Sequence, residues 1–336
     1  VPVAGDPDLG LDDRSVNAME TSTTTMEPHE PHWLSRSAFQ VVILLFLGLE
    51  VLLWRLLQSH ASLWLIVPLV LVISHLMHGA AVGFHEATHG LLRRNRGLNE
   101  FDGVLLGVLS FMSFSLYRAA HQLHHMHLAT ERDEELWPFV HTGKPRWLRI
   151  TAAIIELTMG LVFLPFLFLR IFLRQGSPIR SRKVRRRIWM ELGLIGVVWT
   201  SILSAVAWLD GWHFFLWMYL VPAWIAANLQ SWRKYIEHVG LTGSTVNGST
   251  RSIVARGWTG RLVAFTLLHE PFHGLHHMHA GIPHAELPPL ADELQPRTPD
   301  ERPPFRSYSH ALVHLLRSLN DPRVGAQWRR SSARTS

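Results

Sequence analysis

The chain alternates between long apolar blocks and short polar or basic connections. About Ala38 to Leu57 and about Leu63 to Phe84 are nearly unbroken apolar runs, each close to the roughly 20 residues that span a bilayer core as a helix. The link from Gln58 to Ala61 is so short that the two form a hairpin. A second pair, about Ile188 to Leu209 and about Trp212 to Gln230, is joined by the tight Asp210-Gly211 turn and carries Trp near its ends, as segments at membrane interfaces do. Two more apolar stretches are ambiguous. Val104 to Leu116 is too short to cross, and Ile150 to Leu173 contains Glu156, Gly160 and Pro165.

The basic residues decide how these stretches are threaded. Arg93, Arg94 and Arg96 follow the second block, Lys144, Arg146 and Arg149 precede the Ile150 stretch, and Arg170, Arg174, Arg180, Arg182, Lys183, Arg185, Arg186 and Arg187 precede the third block. Positive charge stays on the cytoplasmic side. All three sets can do so only if Val104 to Leu116 and Ile150 to Leu173 dip into the membrane or lie on it. The prediction is an all-α integral membrane protein with four transmembrane helices in two hairpins, interfacial or re-entrant helices between them, and a cytoplasmic histidine-rich cap. Residues 36–295 form this membrane domain. Residues 1–35, polar and Thr-rich, are expected to be disordered, with Met19 or Met26 as a possible start, and residues 296–336 to be a polar, basic tail with one short helix near His310 to Ser318, the Pro-rich part from Pro288 to Pro304 being solvated.

Composition agrees and narrows the chemistry. Hydrophobic residues make up 48 % and charged residues 17 %, a bilayer-like balance, and a nucleic-acid partner is not expected. With no cysteine, the chain has no disulfide, no thiolate zinc site and no iron-sulfur cluster of its own. Any metal must rest on histidine and carboxylate ligands.

Histidine is where the candidate chemistry lies. Three clusters, His85-Glu-Ala-Thr-His89, His121-Gln-Leu-His124-His125 and His273-Gly-Leu-His276-His277, fall beside the apolar blocks, all on the predicted cytoplasmic side. His85 and His89 are one helical turn apart and share a face. His121 and His124 are expected to share a face in the same way, with His125 turned about 100° toward a second ion, and the third cluster repeats the pattern. Two metal ions are implied. Imidazole suits iron, zinc and copper alike, so ligand type does not name the metal.

Two other classes fit parts of the pattern. His85-Glu86-Ala-Thr-His89 and His269-Glu270-Pro-Phe-His273 both read HExxH, the zinc protease motif in which Glu86 would be the general base. Five residues carry little specificity, Pro271 interrupts the second copy, and one zinc leaves the His-His pairs unused. A metal transporter would place ligands inside the spans, whereas these lie at their ends. Of the remaining histidines, His75 and His78 read as buried and hydrogen-bonded, and His127, His279 and His284 as solvated or adjacent to ligands.

Together the three clusters resemble the histidine boxes of the integral membrane fatty acid desaturase and hydroxylase superfamily, over roughly residues 36–295. The acidic stretch Thr130 to Pro138 after the second box, and the ending His273 to Pro283, are similar to that family's pattern. The resemblance implies a non-haem diiron oxidase that uses O2 and two electrons to desaturate a fatty acyl or lipid chain, with hydroxylation or ketolation of a hydrophobic natural product as the alternative. It implies nine iron ligands: His85, His89, His121, His124, His125, His238, His273, His276 and His277, His238 coming from the Arg233 to His238 segment after the fourth span. His269 stands where related bacterial enzymes often carry Asn; a tenth ligand, a hydrogen-bond donor and a substrate contact remain open for it. Glu86, Glu237 and Asp133 are nominated to orient imidazoles. A separate ferredoxin- or rubredoxin-type electron carrier with its reductase is implied, since no cysteine excludes a fused one. The Arg170 to Arg187 cluster is a possible dock for it, although topology and anionic lipid account for that cluster more simply. A bacterial plasma-membrane location is expected.

Overall fold

The computed structural model describes residues 33–332, so the expectation for residues 1–35 lies almost wholly outside it. The described residues are helical, with two isolated bridges, Leu241 with Val324 and Ile253 with Phe305, in place of strands. Among the described residues three helices are long and apolar enough to cross a membrane: α1 (Ala38–Gln58), α2 (Leu63–Thr88) and α7 (Arg182–Trp208). Their outward faces are apolar, with Leu44, Leu47, Val51, Met190 and Val197 largely exposed. In water such a surface is a liability, and in lipid it is the required one. Trp64 and Trp208, the most exposed tryptophans, flank the two hairpin links at the end away from the histidines.

The fourth expected span is divided by a π-helical stretch. Helix runs from Trp212 to Phe215, as π-helix from Leu216–Leu220, and on as α8 (Val221–His238). The dihedrals at Phe215, Leu216, Leu220 and Val221 are all α-helical, so the path is continuous. Pro222 explains the wide turn. It has no N–H to donate and its ring would crowd the carbonyl four residues back, a conflict that a π-turn relieves. Helix α8 extends past the expected end at Gln230 to His238, and α2 past Phe84 to Thr88. Both therefore carry histidines on their last turn.

The ambiguous stretches are two broken helix pairs. Helices α3 (Arg96–Leu109) and α4 (Phe114–Met126) meet at 101°. Glycine permits the corner: a Cβ on Gly107 would lie 2.5 Å from the Met112 carbonyl. The carbonyls freed at the end of α3 are satisfied by other helices, Val108 O by Trp199 Nε1 at 2.8 Å and Leu109 O by Tyr219 Oη at 2.5 Å. At the start of α4 the Glu191 carboxylate of α7 accepts from Ser113 Oγ, Ser115 N and Ser115 Oγ at 2.7–2.8 Å, an anion against a helix N-terminus. That contact fixes the helix bearing the second histidine cluster to a span.

The second pair, α5 (Arg146–Thr158) and α6 (Gly160–Leu173), breaks at Met159. Asn228 of α8 repairs the break, accepting from Gly160 N at 2.8 Å and donating to Thr158 O at 3.1 Å. In the C-terminal segment most of residues 295–303 are exposed, and the part that follows packs onto the body: α9 (Tyr308–Leu316) buries Ala311 and Leu315 completely, Val324 bridges Leu241, and Trp328 Nε1 donates to Phe139 O at 2.8 Å.

Candidate metal centre

Helix length brings the site together. His85 lies roughly 33 Å along α2 from Leu63 at 1.5 Å per residue, and His238 roughly 39 Å along the last span from Trp212, both just beyond a bilayer core of about 30 Å. The α4 helix reaches them from the broken pair. The third cluster arrives on a short helix, His273–Met278, whose first turn is held by Ser252 Oγ accepting from Gly274 N at 2.8 Å.

Ring nitrogens of His85, His89, His121, His125 and His276 form one group within 4.8 Å of one another, and those of His124, His238 and His277 form another. His273 joins the second, its Nε2 lying 2.8 Å from His238 Nε2 and 3.1 Å from His277 Nε2. All nine expected histidines thus converge. Their division differs from the sequence reading, which paired His121 with His124 and set His125 apart. The structure pairs His121 with His125 and gives His124 to the other group; likewise His273 goes with His277 while His276 crosses over. The reason is helical pitch. Side chains four apart differ by about 40° and those three apart by about 60°, so the i,i+4 pair is the better aligned.

The spacing fits metal ligands. Within the first group Nε2 atoms are separated by 2.8 Å (His85 to His121), 3.0 Å (His121 to His125) and 3.1 Å (His125 to His276). Nitrogens about 2.1 Å from an ion lie about 3.0 Å apart at right angles and about 3.4 Å apart in a tetrahedron. The observed separations match the right-angle case. Five nitrogens in one group also exceed what a tetrahedral zinc site takes.

The outward nitrogens meet carboxylates. His121 Nδ1 lies 3.0 Å from Glu135 Oε2, His124 Nδ1 2.9 Å from Asp133 Oδ2, and His273 Nδ1 3.0 Å from Glu270 Oε1. Such partners fix the tautomer so that Nε2 faces inward with its lone pair. Arg233 Nη1 donates to both Glu237 and Glu270 at 2.7–2.8 Å, neutralising part of a buried negative cluster. Asp133, Glu135, Glu237 and Glu270 are all buried, an arrangement that demands nearby positive charge. A pair of divalent cations would supply it.

Electrostatics favours bare imidazoles. Burial pushes His89 down to about 3 and His273 to about 4, and holds His121, His125, His276 and His277 well below the usual range. These rings are neutral at pH 7 with a lone pair to donate. His124 is the exception: burial lowers it, but Asp133 and Glu135 outweigh burial and raise it to about 9. A cation entering there displaces a proton.

Of the three carboxylates nominated to orient imidazoles, Asp133 touches His124 as described, and Glu237 lies 3.6 Å from His273 Nδ1 while binding Arg233. Glu86 does otherwise, accepting from the backbone N of His284 at 3.0 Å. Sequence reasoning missed Glu135, Glu270 and Arg233 in this role. A signal was present for Glu270, the acidic residue of the second HExxH.

His269 stands outside both groups. Its Nδ1 lies 3.3 Å from His284 Nδ1, and its backbone takes a left-handed φ of 55°, as does Leu268 at 47°. Consecutive non-glycine residues in that region are strained and need surrounding support. His269→Ala is expected to lower turnover while keeping the full metal content, measured on the same preparation; loss of one metal equivalent would make His269 a ligand. His279 pairs with Glu293 at 2.8 Å and His75 with Thr266 Oγ1 at 2.8 Å, both away from the centre.

Fold and site define a helical membrane protein with a buried two-part histidine centre. The sequence model of the fatty acid desaturase family matches residues 62–309, and the chain belongs to that family. It is accordingly an integral membrane oxidoreductase. No curated protein matches the chain.

Proposed function

We propose that this protein is a membrane diiron oxidase that uses O2 and two electrons from a separate carrier to desaturate a fatty acyl or lipid chain. The observation that carries the reading is the division of nine histidines into groups of five and four nitrogens, spaced for right-angle ligation. Iron is the proposed occupant: His85, His89, His121, His125 and His276 would hold one ion, and His124, His238, His273 and His277 the other. Bound there, iron supplies the two-electron activation of O2 that an unactivated C–H bond requires.

The chain's own residues do the positioning. Asp133, Glu135 and Glu270 hold Nδ1 protons and aim the Nε2 atoms inward. Arg233 balances the carboxylates behind His273. Burial keeps water from the imidazoles. The site is proposed to face the cytoplasm, with the continuous helix from Trp212 to His238 as a fourth crossing. The arginine distribution supports this side, since Arg93 follows the histidine-bearing end of α2 and Arg182 opens α7.

A ferredoxin- or rubredoxin-type carrier with its reductase is the proposed electron source. Part of the basic cluster is committed internally: Arg170 and Arg174 pair with Glu134 at 3.1 and 2.8 Å, and Arg187 with Glu191 at 3.0 Å. Arg182, Lys183 and Arg186 remain exposed for a carrier or for anionic lipid.

The test is product mass after incubating iron-loaded protein with ferredoxin, its reductase and a panel of acyl substrates. Loss of two hydrogens is the expected result. Gain of one oxygen would assign a hydroxylase or ketolase, and purification with a single zinc would overturn the reading.

A further inference from the structure

The carboxylate of Glu270 stands between the two histidine groups. Its Oε1 lies 3.0 Å from His273 Nδ1, in the group of four, and its Oε2 lies 3.4 Å from His85 Nδ1, in the group of five. His85 Nδ1 is buried and makes no hydrogen bond in the structure. At 3.4 Å the gap to Oε2 is a few tenths of an ångström beyond a good hydrogen bond. Arg233 Nη1 of α8 donates to Oε1 at 2.7 Å, which holds that oxygen and leaves the Oε2 end still to be placed. Asp133 and Glu135 each hold one imidazole of the second box, and neither reaches across.

We infer that Glu270 couples the loading of the two metal sites. The inference rests on the diiron reading and adds to it a thermodynamic link between the ions. A cation drawn to His273 fixes that ring with Nδ1–H toward Oε1, which sets the plane of the carboxylate. With the plane set, Oε2 is placed to accept from His85 Nδ1–H, and closing that contact fixes His85 Nε2 in the group of five, where it lies 2.8 Å from His121 Nε2. The same sequence runs in reverse from His85. Each ion therefore prepays part of the ordering that the other requires, which is positive cooperativity by linkage through one shared residue. The linkage also accounts for a carboxylate at position 270, since no neutral side chain accepts with both ends at once.

The experiment is an anaerobic Fe(II) titration of the metal-free, full-length protein in nanodiscs, reading bound iron per chain by equilibrium dialysis and the one-iron and two-iron forms by 57Fe Mössbauer spectroscopy. In the wild type, iron is expected to enter in pairs, with little one-iron form at half saturation. In Glu270→Gln, which keeps the shape and Oε1 but offers a donor toward His85, the one-iron form is expected to accumulate and the second iron to bind about tenfold or more weakly. Glu270→Asp keeps the charge on a shorter arm and serves if the Gln variant fails to fold; it should bind two irons with the pairing diminished. Wild-type protein that fills its sites one after the other, or variants that load in pairs as the wild type does, would overturn the coupling. Wild-type protein that never reaches two irons would instead overturn the diiron reading, so the two failures are distinct.

Discussion

Replacing His276 with alanine is expected to abolish turnover, with a loss of more than about a hundredfold, and to lower the iron content of the purified protein. His276 is the member of the third box that crosses into the first group, where its Nε2 sits 3.1 Å from His125 Nε2. The other members of that group come from α2, its cap and α4, so His276 clasps the C-terminal region to the N-terminal one. Removing an outer hydrogen-bond partner of a ligand costs about 10- to 100-fold in affinity or activity. Removing the imidazole itself, and leaving a cavity in a buried polar site, should exceed that. Membrane insertion should be unchanged, because no span depends on the short helix carrying His276. Iron by plasma mass spectrometry, activity, and membrane extraction of the same variant check the three parts together. Full iron with full activity would remove His276 from the centre.

Asp133 is expected to show the largest effect on stability. It is fully buried and accepts from His124 Nδ1 at 2.9 Å, Ala129 N at 3.0 Å and Leu136 N at 3.3 Å. Asp133→Ala orphans all three donors at once. Each buried unsatisfied group costs about 1–3 kcal/mol. A loss of at least about 3 kcal/mol follows, read as a lowered thermal midpoint in detergent, together with depleted iron. Asp133→Asn separates the two roles. Its one oxygen, placed where Oδ2 stands, can still accept from Ala129 N and His124 Nδ1 while its amide nitrogen faces Leu136 N, so part of the stability should return. A neutral amide supports the His124 imidazole less well, so iron affinity should stay about 10-fold or more below wild type. Wild-type iron affinity in the Asn variant would show that the negative charge behind His124 is dispensable.

Much of the architecture was legible in the sequence because membrane helices advertise themselves. The spans at Ala38, Leu63 and Ile188 were visible as apolar runs, and their ends were misjudged where polar residues extend a helix, at Arg182 before Ile188 and at His85 beyond Phe84, as also at His238 beyond Gln230. Broken helices were harder. The apolar runs around Val104 and Ile150 showed that something unusual occurred, but the 101° corner depends on Gly107 meeting the Met112 carbonyl, and the Met159 break on Asn228 from a distant helix. Such repairs are tertiary and leave no local periodicity. The short helix near His310 was legible, but its docking onto the body was not, because Ala311 and Leu315 make a buried face too short to stand out.

The histidines themselves were legible; their allocation was not, because spacings of three and four look equally helical until actual rotations are compared. The supporting carboxylates were the least visible. Glu135 lies in an acidic run where Asp133 drew attention first, and Glu270 was read as half of a protease motif. Only the fold shows that its two oxygens face different imidazoles.

Both α4 and the short helix His273–Met278 contribute nitrogens to each of the two groups. The distance between the groups is therefore gauged twice by the pitch of a single helix, and no hinge between separate parts of the protein can stretch it. A one-residue insertion or deletion within either motif would rotate the later rings by about 100° and exchange their allegiance. On the proposed function, the motion that admits and releases a substrate is then expected in elements that carry no histidine of the centre, with the spacing of the two groups held constant.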